Sequence, residues 1–191
     1  MDSLIEKIKS EGRLLDGDIL KVDSFLNHQI DVSFMKEIGA EFYRLFSDCG
    51  VNKILTVEAS GIGIACITAQ FFNCNAVFAK KSKSANIGDD VYTSVAHSYT
   101  YNRDNVITVS KSFLSPKDNL LIVDDFLARG AALTALIDIA EKSGASVSGV
   151  GIVIEKAYQG GGDALHARGV RIESLARILC MNKEEGIVFS A

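Results

Sequence analysis

The sequence contains no tryptophan, a single proline (Pro116) and no apolar run near the ~18 residues that span a bilayer. A single proline excludes a proline-rich recognition segment. No charged segment precedes an apolar stretch at the start of the chain. The four cysteines are scattered, with no CxxC pair and no spacing typical of a metal site: Cys49, Cys66, Cys74 and Cys180. We therefore expect a reduced, cytoplasmic protein without a membrane partner.

Apolar sequence is abundant enough to build a folded core. Of 191 residues, 48% are hydrophobic and 23% are charged, which excludes intrinsic disorder and fits a single domain. Lysine and arginine together number 20, against 24 aspartates and glutamates, for a net charge of −4. This balance argues against an extended surface for nucleic acid, although it is compatible with a local basic site for a small anion.

Short β-type runs alternate with helical patterns over most of the chain. Apolar residues at helical spacing predict helices over 1–11, 62–72 and 131–142, and a long helix between a capping Asp31 and Gly50. Strands are predicted over 18–22, 53–57, 76–79, 106–109, 120–123 and 146–154. This alternation indicates an α/β fold with a central, mainly parallel sheet that is flanked by helices on both faces.

Two segments depart from this alternation. Residues 81–102 are first polar and then alternate between apolar and small side chains, which predicts a solvent-facing β arm inserted between core elements. The run Gly160-Gly161-Gly162 is typical of a flexible connection, an interpretation that we favour over a ligand cradle.

The stretch from 120 to 132 carries the strongest chemical signal. A buried strand ends in two adjacent carboxylates, Asp124 and Asp125, and a short loop with Gly130 leads into a helix. Ligands of open α/β sheets bind outside the carboxyl ends of the strands, and the free N–H groups of a helix N-terminus suit a phosphate. A sugar phosphate would engage both features, with its hydroxyl groups on the aspartates. The alternative is that the aspartates simply end the strand.

The same stretch, LLIVDDFLARGAA, resembles the phosphoribosyl diphosphate (PRPP) signature of the type I phosphoribosyltransferases. Four further segments resemble the xanthine-specific bacterial members of that family, in the same order along the chain: 20–31, 58–62, 152–156 and 173–178. Together they cover nearly the whole chain. The resemblance implies the fold of that family and transfer of the phosphoribosyl group of PRPP to N9 of xanthine, giving xanthosine 5′-monophosphate and pyrophosphate.

Cofactor, assembly and organisation are implied in the same way. Mg²⁺ would accompany PRPP, held mainly by PRPP and water, so that no residue is expected to bind a metal directly. The chain would form a homodimer. A core over 31–156 would carry a hood, built from 1–30 and 157–191, and a mobile lid over 81–102.

The resemblance further implies roles for individual residues. Xanthine presents carbonyl oxygens at two ring positions and therefore needs donors, which Asn27 and Lys156 supply, while Leu20 adds backbone groups and an apolar contact. Asp124 and Asp125 are the implied catalytic pair. The implied PRPP loop consists of Ala128, Arg129, Gly130, Ala131 and Ala132, and the implied pyrophosphate loop and lid contribute Ser60, Gly61 and Lys81.

Two positions of the PRPP loop depart from the family pattern. Arg129 stands where relatives commonly carry a small or polar residue, and Ala132 lacks the hydroxyl that many type I members have there. Backbone donors can suffice for the phosphate. Arg129 either adds charge to the phosphate or points to solvent.

Other interpretations have less support. Gly61 and Gly63 after a strand are typical of a dinucleotide-binding loop, but Cys66 replaces the third glycine. Guanine or hypoxanthine would also accept a hydrogen bond from Lys156 at the 6-oxo group. A non-catalytic regulator that senses PRPP is disfavoured by the negative net charge. His28 is expected to be structural rather than a catalytic base.

Overall fold

The computed structural model describes residues 1–15, 19–81, 90–98, 103–182 and 186–190. Its centre is a six-stranded sheet in which all neighbouring strands are parallel except the last pair at one edge. From that edge, the strands are β10 (Gly186–Phe189), β9 (Ile172–Asn182), β8 (Ser146–Lys156), β7 (Asn119–Leu127), β3 (Lys53–Val57) and β4 (Asn75–Ala79). The predicted α/β class and mainly parallel sheet are confirmed.

Helices flank this sheet: α1 (Asp2–Glu11), α2 (Val32–Phe46), α3 (Gly61–Phe72), α4 (Ala131–Ser143) and the short α5 (Gly161–His166). The predicted cap of α2 is confirmed, because the Asp31 carboxylate accepts a hydrogen bond from the backbone N–H of Phe34 at 3.0 Å. Gly144 follows α4 in the left-handed conformation, with φ of 75°. Across the described part of the chain, no helix is long and apolar enough to cross a membrane.

The sheet separates two apolar cores. The first core lies against α1, α2 and α3, and the second core lies against α4. Side chains of a strand alternate between the two faces of its sheet. Leu121 and Val123 of β7 accordingly belong to the first core, and Leu120 and Ile122 belong to the second. Both faces of β7 are buried, which explains its uninterrupted apolar sequence.

Residues 106–109 do not join the central sheet, which corrects the prediction made from their apolar pattern. They lie in β6 (Arg103–Ser110), which pairs antiparallel with β5 (Val91–Ser98) in a two-stranded sheet of its own. Apolar periodicity indicates a strand but does not identify its partner, since either pairing buries the same side chains.

The predicted β arm, formed by β5 and β6, faces solvent on one side and packs on the other. Ser94 and Ala96 are buried, whereas Val95 between them is 57% exposed. These small inner side chains let the arm lie close to α4, where the Ser94 hydroxyl donates to a carboxylate oxygen of Asp138 at 3.2 Å. The Lys142 ammonium donates to the backbone carbonyl of Thr93.

The two ends of the chain meet the sheet differently. The N-terminal segment forms a two-stranded sheet of β1 (Arg13–Leu15) and β2 (Ile19–Lys21) and contributes apolar residues to the first core. The C-terminal segment supplies β9 and β10, where no strand was predicted, so the central sheet continues past residue 156. The division into core, hood and lid stays a prediction, and residues 82–89 and 99–102 of the lid lie outside the described residues.

Candidate active site

The candidate site lies at the carboxyl ends of β3 and β7, which are neighbours in the sheet. From β3 the chain continues to β4 on one side, whereas from β7 it continues to β8 on the other side. Loops that leave adjacent parallel strands in opposite directions open a crevice between them, where ligands of such sheets bind. The two implied phosphate-binding loops therefore meet at one place.

Asp124 and Asp125 lie inside β7 rather than after it, because pairing with β8 continues from Asp124 to Leu127. The prediction that the strand ends before the two carboxylates was wrong. Aspartate is a poor strand former on its own. The strand continues through both aspartates because β7 lies between β3 and β8 over its first half and stays hydrogen-bonded to β8 over the rest. Both side chains are buried.

The buried pair is hydrogen-bonded along the strand. The backbone N–H of Asp125 donates to Asp124 Oδ1 at 2.9 Å, and the N–H of Phe126 donates to Asp125 Oδ1 at 2.9 Å. Burial, and after it the charge of Asp125, raise the pKa of Asp124 well above its usual range. A carboxyl group held in such surroundings reduces stability, which is typical of functional sites.

Asp125 is connected to the segment implied in base recognition. Asn27 Nδ2 donates to Asp125 Oδ2 at 3.1 Å. Asn27 belongs to the loop over 22–31, which internal backbone hydrogen bonds stabilise, among them Asp31 N–H to the carbonyl of Phe25 at 2.9 Å. The loop implied in base binding, here called the base loop, and the buried aspartate pair are therefore in direct contact.

The other two residues implied in xanthine binding lie in different surroundings. Leu20 is buried in β2 and packs in the first core. Lys156 is the last residue of β8 and is half-buried, with its Nζ 5.8 Å from the centre of the Phe126 ring. Phe126 follows Asp125 directly in β7, so Lys156 lies over the residue next to the aspartate pair.

The implied PRPP loop lines a cleft of about 280 Å³ at the start of α4. Gly130 adopts φ of 79° and α4 begins at the next residue. The N-cap residue Gly130 has no side chain to accept from the first N–H groups of the helix, and this end of the helix lines the cleft. All of the predicted loop residues line the cleft, together with Asp124 and Lys81: Ala128, Arg129, Gly130, Ala131 and Ala132.

The implied pyrophosphate loop follows β3 and contains a cis peptide bond between Glu58 and Ala59. Gly61 begins α3 with no room for a side chain, because a Cβ there would collide with Thr56 Oγ1 and lie 3.2 Å from Asp124 Oδ1. The backbone N–H of Lys81 donates to Glu58 Oε1 at 2.6 Å. This hydrogen bond joins the start of the implied lid to the loop.

A second cavity lies between the base loop and the pyrophosphate loop. Its lining residues are Lys21, Asp23, Asn27, His28 and Ser60. It brings the predicted Ser60 and Asn27 to one surface. His28 is exposed there, so its predicted structural role has no support from burial.

Sequence reasoning missed three residues at the PRPP loop. Asn105 of β6 and Gln159 line the cleft, although no recognised motif contains them. Gly161 packs against the loop, and both Gly161 and Gly162 are buried at the start of α5. The flexible connection predicted for the glycine run was therefore wrong. Consecutive glycines also permit the close approach of two backbones, and this property of the sequence could have indicated the contact.

Relatives match this chain over nearly its whole length. No family model matches. The chain is 52% identical over 188 residues to a xanthine phosphoribosyltransferase of Lachnoclostridium phytofermentans, covering 98% of this chain and 97% of that protein. It is 54% identical over 179 residues to the enzyme of the same name from Clostridium tetani, covering 93% and 94%. The chain belongs to the xanthine phosphoribosyltransferase family.

Solved structures agree with this assignment at the level of the fold. The adenine phosphoribosyltransferase of Thermoanaerobacter pseudethanolicus has a TM-score of 0.74 at 18% identity, covering 91% of this chain and 99% of that chain. That of Trypanosoma brucei, in complex with AMP, pyrophosphate and ribose-5-phosphate, has a TM-score of 0.76 at 16% identity, covering 91% and 79%. This member of the xanthine phosphoribosyltransferase family therefore has the type I phosphoribosyltransferase fold, as predicted.

Proposed function

We propose that this protein transfers the 5-phosphoribosyl group of PRPP to N9 of xanthine, giving xanthosine 5′-monophosphate and pyrophosphate for purine salvage. The supporting observation is the meeting of three parts at one crevice: the uncapped N-terminus of α4, the buried aspartates and the base loop in contact with Asp125. A ligand that fits all three carries a phosphate, hydroxyl groups and a polar base. The names of the relatives at about half identity point to the same reaction.

The base would be recognised by donors from two sides. Asn27 Nδ2 and the Lys156 ammonium donate to the carbonyl oxygens of xanthine, and Leu20 supplies the backbone and an apolar contact at the edge of the base loop. Adenine is disfavoured, because its 6-amino group would place a donor opposite the Lys156 donor.

The phosphates of PRPP would bind on the two loops. The backbone N–H groups of the loop from Ala128 to Ala132, at the positive end of the α4 dipole, bind the 5-phosphate. Arg129 adds charge at the same place. Ser60 and Gly61 bind the pyrophosphate group from the other loop, and Lys81 approaches it from the start of the lid.

The reaction needs stabilisation of charge rather than a covalent nucleophile. The bond between C1 of the ribose and the pyrophosphate oxygen breaks ahead of attack by N9, the pyrophosphate leaves with the bonding electrons, and N9 loses its proton. Asp124 and Asp125 bind the ribose hydroxyls and favour the positive charge that develops on the ring. Closure of the lid excludes water from that cation.

Mg²⁺ would act with PRPP, neutralising charge on the departing pyrophosphate. The described residues contain no group of three or more His, Cys, Asp or Glu side chains placed to hold a metal ion. The ion would be held mainly by PRPP oxygens and water, near the ribose hydroxyls that Asp124 and Asp125 would bind. We also propose that the enzyme works as a homodimer in the cytoplasm.

A panel of bases tests the proposal. Formation of nucleotide from PRPP and Mg²⁺ is followed with xanthine, guanine, hypoxanthine and adenine, and Asp125→Asn is the inactive control. We expect a clear preference for xanthine. Preference for another 6-oxopurine would contradict the assignment of the base pocket while keeping the reaction. PRPP binding without turnover of any base would contradict the reaction and favour a PRPP-sensing regulator.

A further inference from the structure

The glycine run beside the PRPP loop contacts neither the base nor the phosphates in the proposed reaction. Gly160 has φ of 77°, and Gly161 and Gly162 begin α5. The Gly161 N–H donates to the carbonyl oxygen of Ala128 at 3.1 Å. Residue 161 is thus hydrogen-bonded to the first residue of the loop that would bind the 5-phosphate.

Steric contact at Gly161 involves the backbone of three successive loop residues. A Cβ at this position would collide with the carbonyl oxygen of Ala128, and it would lie 2.7 Å from the carbonyl carbon of Arg129 and 2.8 Å from the amide nitrogen of Gly130. None of these atoms can rotate away, because all belong to the main chain. Conversely, a Cβ on Gly130 would lie 3.5 Å from the Gly161 carbonyl oxygen. The two backbones are in contact with no side chain between them.

Gly162 provides a contrast within the same helix. A Cβ at Gly162 would collide with Glu155 Oε1, the end of a side chain, and would not meet the loop. Glu155 itself forms an ion pair with Arg177, with 3.3 Å between Oε2 and Nε. The same substitution at two adjacent buried glycines therefore disturbs two different neighbours.

We propose that Gly161 is a positioning residue for the PRPP loop: its backbone supports Ala128, Arg129 and Gly130 from behind and fixes the N–H groups that bind the 5-phosphate. The short turn Ala157–Gln159 and Gly160 connect this support to Lys156 at the end of β8. Lys156 and Gly161 thus lie at the two ends of one short stretch of chain. This inference rests on the proposed function of the loop.

The experiment compares Gly161→Ala with Gly162→Ala. Small displacements of positioning groups reduce catalysis strongly, so we expect Gly161→Ala to raise the KM for PRPP about tenfold or more. The KM for xanthine should change less than twofold. Ribose 5-phosphate carries only the 5-phosphate, so Gly161→Ala should raise its inhibition constant along with the KM for PRPP. The inhibition constant of pyrophosphate should not change. Gly162→Ala should leave the KM for PRPP within about twofold of wild type, since its clash is with a side chain.

A purely structural role predicts another result. Both variants would then lose thermal stability while keeping the KM for PRPP, and this outcome overturns the proposal. Equal weakening of ribose 5-phosphate and pyrophosphate would overturn it as well. A wild-type enzyme that fails to use PRPP contradicts the proposed function, whereas a normal KM in Gly161→Ala with an active wild type contradicts this inference alone.

A measurement on the wild-type protein covers the case in which Gly161→Ala does not fold. In a sample labelled with ¹⁵N-glycine, titration with ribose 5-phosphate should shift the amide resonance of Gly161. The amide of Gly144, at the opposite end of α4, is the control and should stay in place. An unchanged Gly161 resonance at saturating ribose 5-phosphate would overturn the proposal.

Discussion

Replacing Asp124 by asparagine should stabilise the protein while reducing its activity. The carboxyl group is buried beside Asp125, and its pKa is raised by burial first and by the neighbouring charge second. Asparagine has the same shape, and its side-chain oxygen can still accept the hydrogen bond from the Asp125 N–H. The substitution therefore removes the charge and keeps the packing.

The sign of the effect follows from proton binding. Between the pKa of the unfolded chain and the higher pKa of the folded protein, the folded state binds more protons, so stability falls as pH rises through this window. The penalty grows as pH rises through this window and is complete above the folded-state pKa, and for a buried polar group it is about 1–3 kcal/mol. In a domain of this size, 1 kcal/mol corresponds to about 2–4 °C in Tm. We expect Asp124→Asn to raise the Tm accordingly and to lower turnover about a hundredfold, because it removes charge stabilisation of the transition state.

Thermal unfolding of both proteins between pH 8 and pH 4 checks this reasoning. The stability gained by Asp124→Asn should be largest at the alkaline end and should shrink toward the pKa of an unfolded aspartate. Asp118→Asn is a control of opposite sign. Burial raises the pKa of Asp118, but the Lys53 ammonium at 2.8 Å and the Ser115 N–H outweigh it and hold that pKa below its usual range. Asp118→Asn should make the protein less stable than wild type at neutral pH, and this loss of stability should shrink as pH falls. A variant of Asp124 that is less stable at pH 8 would refute the argument.

Two further predictions concern substrate binding. Lys156→Ala should raise the KM for xanthine about tenfold or more, because a charged hydrogen bond is lost, and should leave the KM for PRPP nearly unchanged. Steady-state kinetics in which the KM for PRPP rises and the KM for xanthine does not would contradict the base assignment. Arg129→Gln should raise the KM for PRPP. Its difference from the wild-type KM should shrink with added salt, because salt screens an ion pair at an open cleft. A KM for PRPP equal to that of wild type at low salt would mean that Arg129 does not contact the phosphate.

Local chemistry made much of the fold predictable. The strand at Lys53–Val57 matched the structure, and Asp31 caps α2 as its position before an apolar helical pattern indicated. Both depend on neighbours close in sequence. The PRPP loop was recognisable for the same reason, because a strand, a glycine turn and a helix follow one another within a short stretch.

Features that depend on distant partners were not predictable in this way. Asp124 and Asp125 continue β7 because β8 pairs with them, and β6 pairs with β5 although its apolar residues would suit the central sheet. Gly161 was interpreted as flexible because its contact, the PRPP loop, lies more than 30 residues earlier in the chain. The hydrogen bond between Asn27 and Asp125 likewise spans 98 positions. Sequence patterns carry no record of such pairings.

The separation of the two apolar cores has a consequence for how specificity can change. The base loop rests on the first core, whereas α4 and the arm beside the PRPP loop rest on the second, with the sheet between them. Substitutions at distant sites without shared partners have nearly additive effects. Base-side mutations that spare Asn27, the residue hydrogen-bonded to Asp125, should therefore leave PRPP use largely intact. An enzyme built this way can exchange one purine for another in evolution or in the laboratory without rebuilding its donor site.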